Sequence, residues 1–463
     1  MSVKWLPWGD AAFAHARETG RPLLLSLSAR WCGACHRMDE ETWDDPGVAA
    51  VVEGSTVPVR VDADERPDLY GRYHLGGLPS TAVLSPDGEF LRGGTFLSPT
   101  QLLGLLDSAR ADLREGRRPS PRVRAVAAPA APLVTEMVAR LRRRADREHG
   151  GFGVGAKLPE PDAVTLLLRE WQRTGDAELA AIARESLDAI ATHLVDPADG
   201  GFFRYAAAAD WSGPHTEKVT VDQAALIALY LEASAALGLA EYRGVALRAL
   251  DHARTRLADA EGRAYASIAA APRDEVDDRR FADAGAALVR AGLLACALAD
   301  VDTGLVLEAP GAAPHGAVPH WLDAPAGVAT PRGLLRDQAL TIAAAVETHR
   351  VRGDAALLDW ATRAAAWSFA NLWNESRGAF RDAVSSSRSP QGRGQGEGFF
   401  FPLLANGEMA QALLVLSDAS GDARWRRLAA ALVRSLAVEA ARSPAGAALA
   451  LAAQRLDPGA ATT

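Results

Sequence analysis

The chain has 463 residues and a formal net charge of −8, and 48% of its residues are hydrophobic and 23% are charged. This composition is typical of a globular protein and excludes a disordered chain, a collagen-like chain and a disulfide-dense secreted scaffold. The negative net charge gives no field that attracts nucleic acid or an anionic membrane, so we expect neither as a partner. A chain of this length usually forms about two to four domains.

Residues 1–8 lack the basic, apolar and small-residue regions of a signal peptide. The sequence also lacks a run of about 18 uninterrupted apolar residues, the length that crosses a bilayer. We therefore expect a protein of the bacterial-type cytoplasm, where thiols stay reduced. The residue patterns predict no bound cofactor.

Residues 1–115 alternate between short apolar runs and amphipathic runs, which predicts a small α/β domain. The apolar runs have the length of buried strands, and the amphipathic runs have helical spacing. Strands are expected over residues 22–28, 57–61, 81–84 and 89–93, and helices over residues 10–19, 33–42, 46–53, 67–73 and 99–115.

Residues 116–132 separate this domain from the rest of the chain. The segment is rich in proline and arginine and contains no acidic residue. Such a composition favours an exposed linker between domains. Its charge is expected to be solvated rather than to bind nucleic acid.

Residues 133–455 show only helical patterns, and these patterns repeat. Gly-Asp occurs at residues 175–176, 353–354 and 421–422, where glycine is expected to end one helix and aspartate to cap the next. Inner helices are expected near residues 160, 219, 281, 335, 404 and 443, and outer helices near 133, 177, 242, 355 and 422. This arrangement predicts an all-α (α/α)6 toroid, with an open stack as the alternative.

One outer helix of the toroid is expected to be missing between residues 299 and 336. The prolines of this segment exclude one regular helix, so we predict an irregular cap there. We expect His315 and His320 to be solvent-exposed loop residues, with gating of the cavity as the alternative.

Cys32 and Cys35 follow an apolar strand and open a helix. Free backbone amides and the positive helix end stabilise a thiolate there, so Cys32 is expected to attack and Cys35 to resolve a mixed disulfide. Pro79 lies where a thioredoxin-type proline loop, usually with a cis peptide, faces such a pair. Three alternatives stay open: haem attachment through a C-x-x-C-H motif ending at His36, zinc binding with two further ligands, and packing alone. Cys296 is predicted to be a core residue.

The N-terminal motifs carry a resemblance to a known family. Residues 31–38, 61–68 and 76–88 resemble the thioredoxin-like domain of the spermatogenesis-associated protein 20 family. That family usually has a histidine and then an aromatic residue between the two cysteines, whereas this chain has Gly33 and Ala34, as in ordinary thioredoxin. The resemblance implies a thioredoxin-like fold, and the departure favours dithiol chemistry over a family-specific role.

The helical region resembles the second part of that family, which is similar to six-hairpin glycosidases and N-acylglucosamine 2-epimerases. The matching stretches are residues 150–153, 215–218, 222–224, 278–279 with 283, 335–339 and 404–407. The resemblance implies a toroid covering residues 133–455 and a carbohydrate as its ligand.

In such a toroid the starts of the inner helices converge on one end of the ring. This brings the following candidates near one cavity: Asp162, His215, Glu217, Asp222, Asp283, Asp337, Glu397 and Glu408. Carboxylates and a histidine supply the general acid and base for sugar hydrolysis or epimerisation. Aromatic side chains, Trp211 among them, are candidates for stacking on a sugar ring. The alternative for the acids is helix capping and pairing with the positive helix end. His215 and Glu217 are the stronger candidates because they precede their helix.

The favoured function is therefore a thiol–disulfide oxidoreductase domain fused to a toroid that binds or modifies sugars. Its expected partners are a protein disulfide or a reductase, and a carbohydrate. The alternative is a carbohydrate epimerase or hydrolase, or a sugar-binding protein, with a regulatory or structural thioredoxin domain. A non-catalytic scaffold is the third hypothesis.

Overall fold

The structure, a computed structural model, describes residues 3–116, 132–313, 315–384 and 400–457. The chain divides into two compact units, one built mainly on residues 3–116 and the other mainly on the residues from 132 onward. Most of the predicted linker, residues 117–131, lies outside the described residues, and so does the candidate Glu397.

The first unit is a mixed α/β domain. Its strands are β1 (Leu23–Ser28), β2 (Val57–Asp62), β3 (Ser80–Leu84) and β4 (Phe90–Gly94), and its helices are α1 (Asp10–Thr19), α2 (Gly33–Met38), α3 (Pro46–Ser55), α4 (Pro67–Tyr73) and α5 (Pro99–Arg114). The sheet order is β2-β1-β3-β4, with β1 and β2 parallel and the other pairs antiparallel. The predicted thioredoxin-like fold is confirmed, but the helix expected over 33–42 becomes α2 followed by a π-helical turn, Asp39–Trp43.

Both faces of this sheet are buried, because successive side chains of β1 enter different cores. Leu23, Leu25 and Leu27 pack on the side of α1 and α4. Leu24 packs on the opposite side, with Met38 of α2 and residues of α3 and α5. Helices on both faces explain why β1 is buried along nearly its whole length rather than at every second residue. The strand ends shortly before Cys32.

The second unit is a closed ring of helices. Its inner helices are α7 (Pro161–Thr174), α9 (Thr220–Leu237), α11 (Ala282–Ala299), α13 (Leu335–Arg352), α15 (Leu403–Ser420) and α17 (Ala447–Leu456). Its outer helices are α6 (Leu133–Arg144), α8 (Ala177–His193), α10 (Ala240–Arg256), α14 (Ala355–Leu372) and α16 (Ala423–Ala440). Each inner helix packs against the next, and α17 packs against α7. The predicted toroid is therefore confirmed, and the alternative of an open stack is wrong.

An irregular segment takes the place of an outer helix between α11 and α13. Its described residues include one short helix, α12 (Ala309–Ala312), which agrees with the expected effect of the prolines. By length and composition α11 is apolar enough to cross a membrane. It is an inner helix of the ring, and 56% of it is buried.

Three outer helices of the ring begin at the Gly-Asp dipeptides that end the inner helices before them. Gly353 ends α13 with a φ of 73°, in the left-handed region that favours glycine. The side chain of Asp354 then accepts a hydrogen bond from the backbone amide of Ala356 at 3.0 Å and caps α14. The same pattern separates α7 from α8 and α15 from α16.

Short strands lie in the loops that return from the outer to the inner helices. They are β5 (Tyr205–Ala206), β6 (Pro214–His215), β7 (Lys218–Val219), β8 (Ser267–Ile268), β9 (Val276–Asp277), β10 (Trp373–Asn374) and β11 (Ala379–Phe380). β5 pairs with β6, β8 lies between β7 and β9, and β10 pairs with β11.

Amide side chains near the starts of inner helices hold these loops in place. Gln223 exchanges hydrogen bonds of 2.8 and 2.6 Å with the backbone of Phe202. Asn406 does the same with Phe380, at 2.9 and 3.0 Å. Gln338 holds the irregular cap through the backbone of residues 316 and 318. The return loops are thereby fixed where they border the starts of the inner helices.

Candidate functional site

Cys32 and Cys35 form a disulfide at the start of α2, with their Cα atoms 5.2 Å apart. Cys32 is the N-cap residue of the helix, and its Sγ accepts a hydrogen bond from the backbone amide of Cys35 at 3.1 Å. Both residues are 3% exposed. An amide donor and a helix N-terminus together favour negative charge on sulfur, so the geometry favours Cys32 as a thiolate after reduction.

The surroundings of the pair include two more features of the sequence. Trp31 is buried, and its indole nitrogen donates a hydrogen bond to Asp64 at 2.9 Å. Pro79 directly precedes β3, is buried, and follows a cis peptide bond from Leu78. β3 pairs with β1, the strand that leads to Trp31 and the cysteines, so one sheet supports both segments.

The starts of neighbouring inner helices meet at one end of the ring, as the sequence predicts. This end, which carries Asp283, Arg336 and Glu408, is called the mouth. Arg336 of α13 lies 3.2 Å from Glu408 of α15 and 3.5 Å from Asp283 of α11. Burial works to lower the pKa of Arg336, but the charges of Glu408 and Asp283 outweigh it and raise that pKa. Burial also raises the pKa of Glu408, against the opposing charge of Arg336.

Asp162 and Asp222 occupy the first turns of α7 and α9. Burial raises the pKa of Asp162, against the positive charges of Arg336 and nearby arginines. Asp222 lies 3.2 Å from the guanidinium of Arg204. Neither acid is an N-cap residue, and the same holds for Asp283 and Asp337, but each of the four lies in the first turn of its helix, where a carboxylate pairs with the positive helix end. Asp283 also accepts a hydrogen bond from the backbone amide of Ala284 at 2.9 Å. The structural role at the helix starts therefore stays open beside the catalytic one.

His215 and Glu217 lie together on the rim of the mouth, next to Tyr205. The His215 ring stacks on the Tyr205 ring with centroids 4.0 Å apart. His215 Nδ1 lies 3.6 Å from a carboxylate oxygen of Glu217, which is 3% exposed. Burial and the negative charge of Glu217 raise the pKa of Tyr205. These contacts place a hydroxyl, an imidazole and a carboxylate side by side.

The structure corrects the expectation for His320, which is buried rather than exposed in a loop. Its Nδ1 lies 3.0 and 3.1 Å from the two carboxylate oxygens of Asp337, and its ring stacks on Phe281. Burial raises the pKa of Asp337, against the effect of His320. The sequence carries no periodic signal for this pair, because an irregular segment supplies the histidine. His315 is exposed, as expected.

Two further expectations change with the structure. Cys296 is half-buried rather than a core residue. Trp211, a candidate for stacking on a sugar, is 1% exposed and donates a hydrogen bond to the carbonyl of His149. Its ring therefore supports the return loop and cannot meet a ligand.

Asp283, His320 and Asp337 each place one potential metal-ligand atom within 4.8 Å of the others. The guanidinium of Arg336 lies 3.5 Å from Asp283. Its fixed positive charge opposes a cation in this cluster.

Fold and site define a class: a thioredoxin-like domain with a Cys-x-x-Cys pair, in one chain with a toroid of the six-hairpin glycosidase-like type. Residues 1–110 match the family model Thioredox_DsbH, described as a protein of unknown function, DUF255. Mouse spermatogenesis-associated protein 20 is 28% identical over 57% of this chain. This chain matches 38% of the length of that relative.

Two further comparisons cover different shares of the chain. Thiol:disulfide interchange protein DsbD 1 of Pseudomonas aeruginosa is 33% identical over 22% of this chain and 16% of its own length. The crystal structure of D-mannose isomerase matches 66% of this chain and 84% of its own, with a TM-score of 0.55 and 12% identity. At that identity the second likeness shows the fold of the toroid alone.

Proposed function

We propose that the thioredoxin-like domain is a thiol–disulfide oxidoreductase whose attacking group is Cys32. The observation that carries the proposal is the hydrogen bond from the Cys35 amide to Cys32 Sγ at the start of α2. This amide stabilises the thiolate, which is the nucleophile of disulfide exchange. The likeness of 22% of the chain to a thiol:disulfide interchange protein supports the proposal.

In the reduced enzyme the Cys32 thiolate attacks one sulfur of a substrate disulfide. A mixed disulfide forms, and the other substrate sulfur leaves as a thiolate that takes a proton. Cys35, once deprotonated, attacks Cys32 Sγ and releases the second substrate thiol. The substrate gains two electrons and two protons, and the enzyme is left with the Cys32–Cys35 disulfide.

The cycle needs a partner that returns two electrons to this disulfide. We propose a dithiol reductase for that role, a protein disulfide as substrate, and a bacterial-type cytoplasm as the compartment, since thiols stay reduced there. Because the chain matches only part of its longer relatives, their whole-protein functions are not transferred to it.

The test is reduction of insulin disulfides by the full chain, with dithiothreitol as the electron source. We expect Cys32→Ser to reduce the rate to that of dithiothreitol alone. Cys296→Ser is the matched control, because Cys296 lies on α11 in the other unit, and it should keep the wild-type rate. A wild-type rate equal to the dithiothreitol background would contradict the proposal.

A second function is proposed for the toroid, which we infer binds a carbohydrate. The observation that favours it is the group of acidic side chains at the mouth, from α7, α9, α11, α13 and α15, beside His215 and Glu217. Carboxylates accept hydrogen bonds from sugar hydroxyls and serve as acids and bases in sugar chemistry. Titration calorimetry with neutral sugars tests this function, which requires saturable binding.

A further inference from the structure

We propose that Tyr205, His215 and Glu217 form a binding site for a neutral ligand with several hydroxyl groups, such as a sugar or polyol. This inference rests on the proposed carbohydrate function of the toroid and assigns its ligand contacts. It is independent of the cysteine pair. The three side chains are named the rim triad.

The rim triad is held by backbone structure on both sides. Tyr205 of β5 pairs with His215 of β6, which sets the two rings face to face. Glu217 is followed by Lys218, whose ammonium lies 2.7 Å from both Asp196 and Asp199. Lys218 is 4% exposed, so this anchor is inside the molecule. The strands therefore fix the side chains before any ligand arrives.

The polar groups of the rim triad have hydrogen-bonding capacity to spare. Among the described residues, the Glu217 carboxylate has one polar side-chain contact, the His215 ring at 3.6 Å, which exceeds hydrogen-bond distance. Over the same residues the Tyr205 hydroxyl has no hydrogen-bond partner. Both groups therefore have hydrogen-bonding positions open to the hydroxyl groups of a ligand.

The charges around the mouth select the class of ligand. Arg336 is already shared by Asp283 and Glu408, and Arg204 lies against Asp222. Asp162 adds a carboxylate without a salt bridge to any described residue, and Glu217 adds one whose ion-pair partner is His215, at 3.6 Å. The mouth therefore carries an excess of negative charge, which repels phosphorylated or carboxylated ligands and accepts hydroxyl donors.

The test is titration calorimetry of the full chain with D-mannose, cellobiose and D-sorbitol, and with mannose 6-phosphate as the anionic counterpart of mannose. We expect at least one neutral compound to bind, and mannose 6-phosphate to bind at least about tenfold more weakly than mannose. Glu217→Gln, His215→Asn and Tyr205→Phe should each weaken binding of the neutral compound, by about tenfold or more for Glu217→Gln. Glu241→Gln, on the exposed start of α10, is the matched control and should bind as the wild type does.

The outcomes separate this inference from the function on which it rests. Saturable binding that all three triad variants leave unchanged would overturn the rim triad but keep the carbohydrate function. Equal affinity for mannose and mannose 6-phosphate would overturn the assignment to neutral ligands. If no compound binds to the wild type, both proposals fail. Tyr205→Phe removes one hydroxyl only, so it remains informative if another variant fails to fold.

Discussion

Two buried lysines act as internal cations in the return loops of the toroid. The ammonium of Lys157 is fully buried and lies 2.6 Å from Asp146, with the carbonyls of Gly150 and Gly153 at 3.0 and 3.1 Å. Lys218, in the next loop, lies 2.7 Å from carboxylate oxygens of both Asp196 and Asp199. A buried charge is tolerated only when it is paired and hydrogen-bonded. Each loop must therefore keep the conformation that supplies the partners of its lysine.

This arrangement predicts how Asp146→Asn changes stability with pH. Burial works to raise the pKa of Asp146, but hydrogen bonds from Lys157 and two backbone amides hold it well below its usual range. The carboxylate therefore stabilises the fold fully above its unfolded-state pKa of about 4, and this is lost as pH falls through the lower folded-state pKa. At pH 7 the variant should lose about 3 kcal/mol of unfolding free energy, because the Lys157 ammonium loses its partner.

Urea unfolding of wild type and Asp146→Asn at pH 7 and pH 3 measures this effect. The difference between the two proteins should be smaller at pH 3. Glu148→Gln, two residues away and exposed, serves as control and should change stability little at either pH. A difference of equal size at both pH values would show that the carboxylate charge is not responsible.

At the scale of single residues, the sequence predicted part of the candidate site. Cys32, Cys35 and Pro79 could be placed because the motif and its flanking strands are local. The His320–Asp337 pair could not be placed, since its partners are brought together by a proline-rich segment without periodicity. The roles of the site residues remain predictions until the variants are measured.

At the scale of helices, the contribution of the aspartate cap to the unfolding free energy can be measured at a Gly-Asp boundary. Asp354→Ala removes the acceptor of the Ala356 amide at the start of α14. We expect a loss of about 1 kcal/mol of unfolding free energy, measured by urea denaturation. Asp354→Asn is the matched control, because asparagine caps helices about as well, and it should recover most of the loss. Equal losses for both variants would point to the charge rather than the cap.

Helix boundaries in the ring were predictable because glycine and aspartate act within one turn of their own position. The π-helical turn Asp39–Trp43 was not predictable, because it depends on packing rather than on residue pattern. Thr42 and Trp43 in this turn are both buried, and the Thr42 hydroxyl donates a hydrogen bond to the carbonyl of Leu97. Contacts between residues far apart in sequence cannot be predicted from the pattern of a short segment.

At the scale of the whole toroid, closure of the ring depends on α17 and its neighbours. Gln454 of α17 donates a hydrogen bond to Glu170 of α7, so the last inner helix is tied to the first. On the other side α17 approaches α15 closely at Gly407, where an added Cβ would lie 2.6 Å from the backbone nitrogen of Leu449. The sequence predicted six inner helices, but whether they close depends on these contacts between distant segments.

The close approach at Gly407 predicts that replacing this helical glycine by alanine lowers stability, whereas such a change normally raises it. Alanine normally stabilises a helix relative to glycine by about 1 kcal/mol. Gly407→Ala should instead destabilise the protein by about 1–3 kcal/mol, because its Cβ would collide with α17. Gly285→Ala, in α11 with nothing within 4 Å of its added Cβ, is the control and should be neutral or stabilising. Thermal unfolding compares them, and a stabilising Gly407→Ala would contradict the close packing of α15 and α17.

The most direct measurement of the redox claim is the trapping of a mixed disulfide on Cys35→Ser. This variant keeps the attacking thiol and lacks the resolving one, so a reaction with 5,5′-dithiobis(2-nitrobenzoate) should stop at a single adduct. Peptide mass spectrometry after a short reaction near neutral pH identifies the modified cysteine. We expect the adduct on Cys32, formed much faster than any on Cys296, and a thiol pKa below the usual value of about 8.5 from the pH dependence of the rate. An unreactive Cys32, or one no faster than Cys296, would contradict thiol–disulfide exchange at this site.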